Sequence, residues 1–160
     1  MEREEKKEKR RKLHNKGFSL VELLIVIAII AILAGVLSPQ LIKYLAKSKK
    51  AADIQTAQTI ATAVGVALAD ETAYNAAAST KVSDCYKADT ETNAFQKEIK
   101  SILGLTAPLP KYEPDTYKDF FVYVDLGNNS YEIYAGNERP TDDNQRKALI
   151  LYPTVGTQYK

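Results

Sequence analysis

Residues 23–42 read LLIVIAIIAILAGVLSPQLI, twenty positions without a charged side chain. No other stretch restricts the fold as strongly. As a helix it spans about 30 Å, the thickness of a bilayer's hydrocarbon core. It is apolar on every face, whereas a helix on the surface of a soluble domain keeps a polar side. The run is therefore read as membrane-inserted at some stage. Three fates are open to it. It is a secretory signal removed after the run, where Ala46-Lys47-Ser48 faintly resembles a small-x-small site crowded by lysines. It is a plain signal anchor. Or a leader is cut before it and the run stays in the mature chain. Lys43, Lys47, Lys49 and Lys50 follow the run almost as densely as a basic tail precedes it, so positive charge does not fix its orientation.

Charge divides the chain into unlike parts. The segment before Phe18, MEREEKKEKRRKLHNKG, holds eight Lys/Arg and four Glu, a charge of +4. The remainder carries 14 Lys/Arg and 16 Asp/Glu, or −2, within a formal net charge of +2 for the whole. Without its tail the protein is mildly acidic and lacks the basic footprint of nucleic-acid binding. Cys85 is the one cysteine, so no intramolecular disulfide forms. The one histidine, His14, lies in the tail. Neither a Ser-His nor a Cys-His pair is available to the part beyond it, nor is a Cys/His metal cluster.

Beyond Lys50 the apolar signal becomes periodic. Ile54, Ala57, Ala61, Val64 and Leu68 recur at three- and four-residue steps, with Asp53, Gln55, Thr56, Gln58 and Thr62 between them. That pattern predicts an amphipathic helix continuous with the apolar run, one helix over residues 18–69. Gly35 and Pro39 interrupt its first half, and a kink or loosening is expected there. Phe95, Ile99, Ile102 and Leu103 predict a short helix, with Thr92 as its cap and Gly104 as its stop. LTAPLPKYEPD, residues 105–115, reads as an extended connection. FFVYVDL (120–126), YEIYA (131–135) and ALILY (148–152) predict three strands. GNNS between the first two is hairpin chemistry, and residues 136–147 read as a polar loop.

The front of the chain, KGFSLVELLIVIAIIAILAGVLSPQL, resembles the amino-terminal signature of type IV pilins and their pseudopilin relatives. The resemblance rests on a short charged leader, Gly17 before Phe18, Glu22 at the fifth position from Phe18, the long apolar run and Pro39. It implies an α+β, type IV pilin-like fold, with a long N-terminal helix packed against an antiparallel sheet of about three strands. Its parts are a leader (1–17), a transmembrane and filament-core half-helix (18–42), an amphipathic half-helix (43–69) and a head (70–160).

The resemblance also implies a life history. A prepilin peptidase cuts between Gly17 and Phe18 and methylates the new amine of Phe18. The chain rests in the cytoplasmic membrane by a single pass. An assembly ATPase and a membrane platform protein then polymerise it with identical subunits into a helical surface filament. No cofactor, metal, catalytic residue or nucleic-acid ligand is implied. A pseudopilin of a secretion or DNA-uptake filament is the alternative, and a signal-anchored extracellular enzyme a distant one. Filaments of this family serve motility, adhesion, secretion or DNA uptake.

Glu22 has two readings. The resemblance implies that it meets the cationic Phe18 amine of a neighbouring subunit in the filament core. The local reading is a capping box, because Ser19-Leu20-Val21-Glu22 fits S-x-x-E. The two are compatible, and an acid in hydrocarbon needs some partner. Around Gly35 and Pro39 the resemblance implies a helix that loosens when a filament stretches.

Remaining signals are weaker. The four lysines after the run are open to acids of neighbouring subunits or to lipid headgroups, and the preferred reading is a solvated helix face. Asp142, Asp143 and Asn144 read as a solvated loop rather than a Ca²⁺ site, since EF-hand spacing is missing. Asn128-Asn129-Ser130 reads as a turn before it reads as a glycosylation sequon. Tyr123, Tyr131 and Tyr134 are expected on the sheet. Cys85 is expected either in the core or available to a second chain.

Overall fold

The computed structural model describes residues 17–88 and 92–160. The charged leader up to Lys16, including His14, lies outside the described residues. The chain forms two units, divided after Leu41.

Helix α1, Leu20–Ala67, belongs to both units and contains Pro39. Its start is cut by Ser19 and its end falls two residues short of the expected Ala69. In the first unit no described residue covers its side chains: Leu23, Ile32 and Leu37 are each more than half exposed. It is the one helix among the described residues long and apolar enough to cross a membrane.

In the second unit the same helix is the spine of a core. Ala57, Ile60, Ala61, Ala63, Val64 and Ala67 are buried. They join a cluster with Phe95 and Ile99, with Phe120, Val122, Ile133 and Leu151, and with Val82, Cys85 and Tyr159. Small residues dominate the helix's share, which lets its backbone lie close to the strands. Gly65 is the tightest point, where an added Cβ would stand 3.2 Å from the Tyr131 hydroxyl. Asp53 was expected on the polar side of α1 but is fully buried.

Four antiparallel strands in the order β1-β2-β3-β4 make the sheet: β1, Thr80–Lys81; β2, Phe120–Asp125; β3, Ser130–Ala135; β4, Ile150–Tyr152. The sequence predicts three. The extra strand is two residues long, too short for a period to register. Phe120 pairs with Ala135 and Val122 with Ile133, so these side chains share one sheet face, all buried. Phe121, Tyr123, Glu132 and Tyr134 share the other. There Arg139 lies 3.8 Å over the Tyr123 ring and pairs with Glu132 at 3.4 Å. The Tyr134 hydroxyl also donates to Glu132. Tyr131 stacks on Tyr152 at 5.4 Å.

Three short α-helices and one 3-10 turn, Ser83–Tyr86, complete the described part of the second unit. Helix α2, Glu71–Asn75, is capped by Asp70. Helix α3, Ala94–Leu103, stops at Gly104 with φ of 96°, as the sequence predicts. Its cap is Asn93 rather than Thr92, in a reciprocal box with Gln96 at 2.9 and 3.1 Å. Helix α4, Asp143–Leu149, occupies much of the expected polar loop and takes Ala148 and Leu149 away from the expected third strand. Asp142 caps α4 by accepting from Asn144 and Gln145, and Asp143 pairs with Arg146 at 2.6 Å. Those carboxylates serve the helix start.

Candidate processing and assembly site

Gly17, Phe18 and Ser19 precede α1 without regular structure and are exposed. Apart from its chain neighbours, no described atom lies within 4 Å of the position a Cβ on Gly17 would take, and Phe18 is 89% exposed. The Gly17–Phe18 peptide is thus an open, non-helical bond directly before a helix start. A protease needs such geometry, because it binds its substrate extended and approaches the backbone.

The helix start is built by Ser19 and Glu22. The Ser19 hydroxyl accepts from the Val21 N–H at 3.3 Å, and the Ser19 carbonyl accepts from the Leu23 N–H at 3.1 Å. Glu22 Oε2 turns back and accepts from the Ser19 N–H at 3.1 Å. The carboxylate therefore occupies the positive end of the helix dipole and satisfies an otherwise orphaned donor. Among the described residues no donor reaches Oε1. Glu22 is exposed, so that oxygen remains open to a cation from outside the chain. Hydrolysis after Gly17 would place a new α-amine on Phe18, one residue before the Ser19 N–H from which this carboxylate accepts.

Gly35 and Pro39 lie about 20 and about 26 Å further along α1 from Glu22, at 1.5 Å per residue. They are four residues apart, on one face. The carbonyl that a Pro39 N–H would serve is that of Gly35, and proline has no such hydrogen. The helix is nevertheless unbroken through both residues. One residue before Pro39, the Ser38 hydroxyl donates to the Ala34 carbonyl at 2.6 Å. Thus Ser19 and Glu22 are brought together, Gly17 and Phe18 adjoin them, and Gly35 with Pro39 form a separate pair.

Cys85 is fully buried, with its thiol against the Lys81 carbonyl at 3.8 Å. Burial pushes the thiol up to about 12. Of its two expected placements the core holds. Asn128 donates through both its backbone and side-chain amides to Asp125, at 3.2 and 2.8 Å, closing the β2–β3 turn. These bonds hold the Asp125 carboxyl below its usual range. The sequence did not single out Asp53, whose Oδ1 and Oδ2 accept from the Lys111 and Tyr112 N–H groups at 2.7 and 2.9 Å. The only hint was an acid beside an apolar stripe.

A helix that is apolar and uncovered in its first unit, and that carries a small antiparallel sheet in its second, defines an α+β, pilin-like fold. Residues 12–38 match the family model of the prokaryotic N-terminal methylation motif, which is characteristic of type IV pilin and pseudopilin precursors. That motif is structural and does not belong to an enzyme family. It covers Gly17, Phe18, Glu22 and Gly35 and stops one residue before Pro39. No solved structure matches the chain.

Proposed function

We propose that the protein is the precursor of a structural subunit of a type IV pilus. The parts are those read from the sequence: a leader over 1–17, a membrane and filament-core half-helix over 18–42, an amphipathic half-helix over 43–69, and a head over 70–160. A prepilin peptidase cuts after Gly17 and methylates Phe18. The apolar half of α1 anchors the chain in the membrane. An assembly ATPase and platform protein then draw it into a homopolymer outside the cell. Catalysis belongs to those partners and not to this chain.

The observation that carries the reading is an apolar helix exposed all round, most of which lies within the methylation motif over residues 12–38. Such a surface needs lipid or other copies of itself. Glu22 suits both situations. Oε2 caps its own helix, and the unengaged Oε1 accepts the methylated Phe18 amine of a neighbour. Methylation keeps that amine cationic. Gly35 and Pro39 form the weak point of the rod, where the missing hydrogen bond lets a loaded filament lengthen.

Amino-terminal sequencing of material sheared from the cell surface tests the processing step. The expected start is N-methylated Phe18. A start after Ser48, or an intact leader, overturns it. Electron microscopy of a deletion strain separates the systems: loss of surface filaments supports a pilus, while intact filaments with failed secretion or DNA uptake point to a pseudopilin.

A further inference from the structure

The lysines just beyond the apolar run have a setting that a solvated helix face does not explain. Lys43, Lys47 and Lys50 are spaced four and three residues apart, so they align on one face of α1. Lys49 stands at its edge. No acid occurs between Glu22 and Asp53. Asp53 does not neutralise the row, because it is fully buried and both its oxygens accept backbone N–H groups. Lys43, Lys47 and Lys49 form no ion pair among the described residues. Lys50 lies 4.8 Å over the Tyr112 ring, a contact that leaves its charge uncompensated.

Three further features accompany the row. Tyr44 is 67% exposed two residues after the apolar run ends, where an amphipathic ring belongs at a membrane–water boundary. An open groove of about 320 Å³ runs beside the row, lined by Lys47, Lys50, Ala51, Ile54, Tyr159 and Lys160. Its floor is apolar and its rim cationic. Finally, positive charge on the translocated side of a single-pass helix is what membrane topology disfavours. With the leader retained inside, Lys43–Lys50 stand on that side, so insertion itself gives no reason for them.

We propose that this lysine face is a binding surface for the phosphate headgroups of anionic phospholipids, engaged while the subunit waits in the membrane. The inference rests on the membrane-anchored stage of the reading above. Hydrocarbon that takes residues 23–42 leaves its headgroup layer at the residues that follow. There the ammonium groups meet the phosphates, Tyr44 lies at the boundary, and the groove accepts one headgroup with its glycerol over Ala51 and Ile54. Each lysine near an anionic surface contributes a severalfold gain in affinity. The contact is shed on extraction into a filament, so the lipid also sets how readily subunits leave.

The test uses the full chain in nonionic micelles, titrated with short-chain phosphatidylglycerol, short-chain phosphatidylcholine or inorganic phosphate. Amide shifts of residues 43–51 and 159 are followed. The expected result is saturable binding of phosphatidylglycerol, with phosphatidylcholine and phosphate each weaker by about tenfold or more. The pair Lys47→Gln and Lys50→Gln is expected to remove about tenfold of that affinity while helicity and melting stay unchanged. Equal affinity for the two lipids, equal affinity for free phosphate, or an unaffected double variant overturns the proposal. Alkaline extraction of cell membranes separates its failure from that of the anchored reading. Retention in the membrane with no headgroup preference sinks only the lysine face, whereas release from the membrane sinks both.

Discussion

Helix α1 carries two carboxylates after its start, one in each unit, and the two are handled in opposite ways. Glu22 is exposed and satisfies the helix's own first amide, three residues away. Asp53 is fully buried and satisfies two amides of the connection before β2, 58 and 59 residues away. The first acid leaves one oxygen without a donor among the described residues. The second uses both oxygens to tie the connection down. An acid with open valence at an uncovered apolar helix suits the assembly role proposed for it, while an acid with closed valence in a packed core serves folding.

The comparison breaks most sharply at Asp53. Asp53→Ala strands two buried N–H groups, and the expected loss is about 3 kcal/mol, read from urea unfolding at neutral pH. If stability falls by less than about 1 kcal/mol, water replaces the carboxylate and the tie is dispensable.

The same residue gives a pH signature. Burial pushes the Asp53 carboxyl above its ordinary value, outweighing the Lys111 and Tyr112 amides that favour the charge. The folded state then holds the proton more tightly than the unfolded state. The stability so contributed is complete below about pH 3.9 and is lost as pH rises through the folded value. Parallel urea titrations should find the native chain gaining on Asp53→Asn as pH falls toward 4. A constant difference between the two would contradict the shift.

The helix glycines sharpen the contrast at smaller scale. Gly35 has nothing within 4 Å of a new Cβ, so Gly35→Ala should strengthen its helix by up to about 1 kcal/mol. Gly65→Ala gains the same propensity but pushes on the Tyr131 hydroxyl, and that ring is stacked on Tyr152. Its expected net effect is a loss of about 0.5 kcal/mol. Hydrogen exchange along α1 in micelles reads both changes. Opposite signs support the comparison, and equal gains would mean that Tyr131 yields freely.

Glu22→Gln gives the smallest effect on folding, within about 0.5 kcal/mol by thermal melting, because glutamine still accepts from Ser19. Filaments should nevertheless fail to form. Normal filaments from this variant would reduce Glu22 to a cap and remove charge pairing from the proposed function.

What was legible in the sequence follows the same division. The helix, its apolar half, the hairpin and the Ser19–Glu22 bond all depend on residues within a few positions of one another, where period and cap chemistry speak. Asn93 displaced Thr92 by one residue because both suit a cap, and only Asn93 has Gln96 three residues on. Helix α4 was hidden because Asp142-Asp143-Asn144 reads equally as loop or helix start. Strand β1 was not legible at all, and the burial of Asp53 was hinted at only by an acid beside an apolar stripe. Thr80 pairs with Val122, and Asp53 reaches Lys111, contacts that no local pattern encodes. For the site, Glu22's capping was readable, while the intersubunit partner proposed for it lies beyond any single chain.

The β2–β3 turn has a consequence for use of the protein as a carrier. Residues 126–129 are exposed, Asn129 takes a φ of 48°, and the Asp125–Asn128 bonds close the loop on itself. The turn draws no hydrogen bond from the core. Foreign peptide spliced between Gly127 and Asn129 would therefore be displayed at the tip of a two-stranded stalk, repeated at every subunit of a polymer.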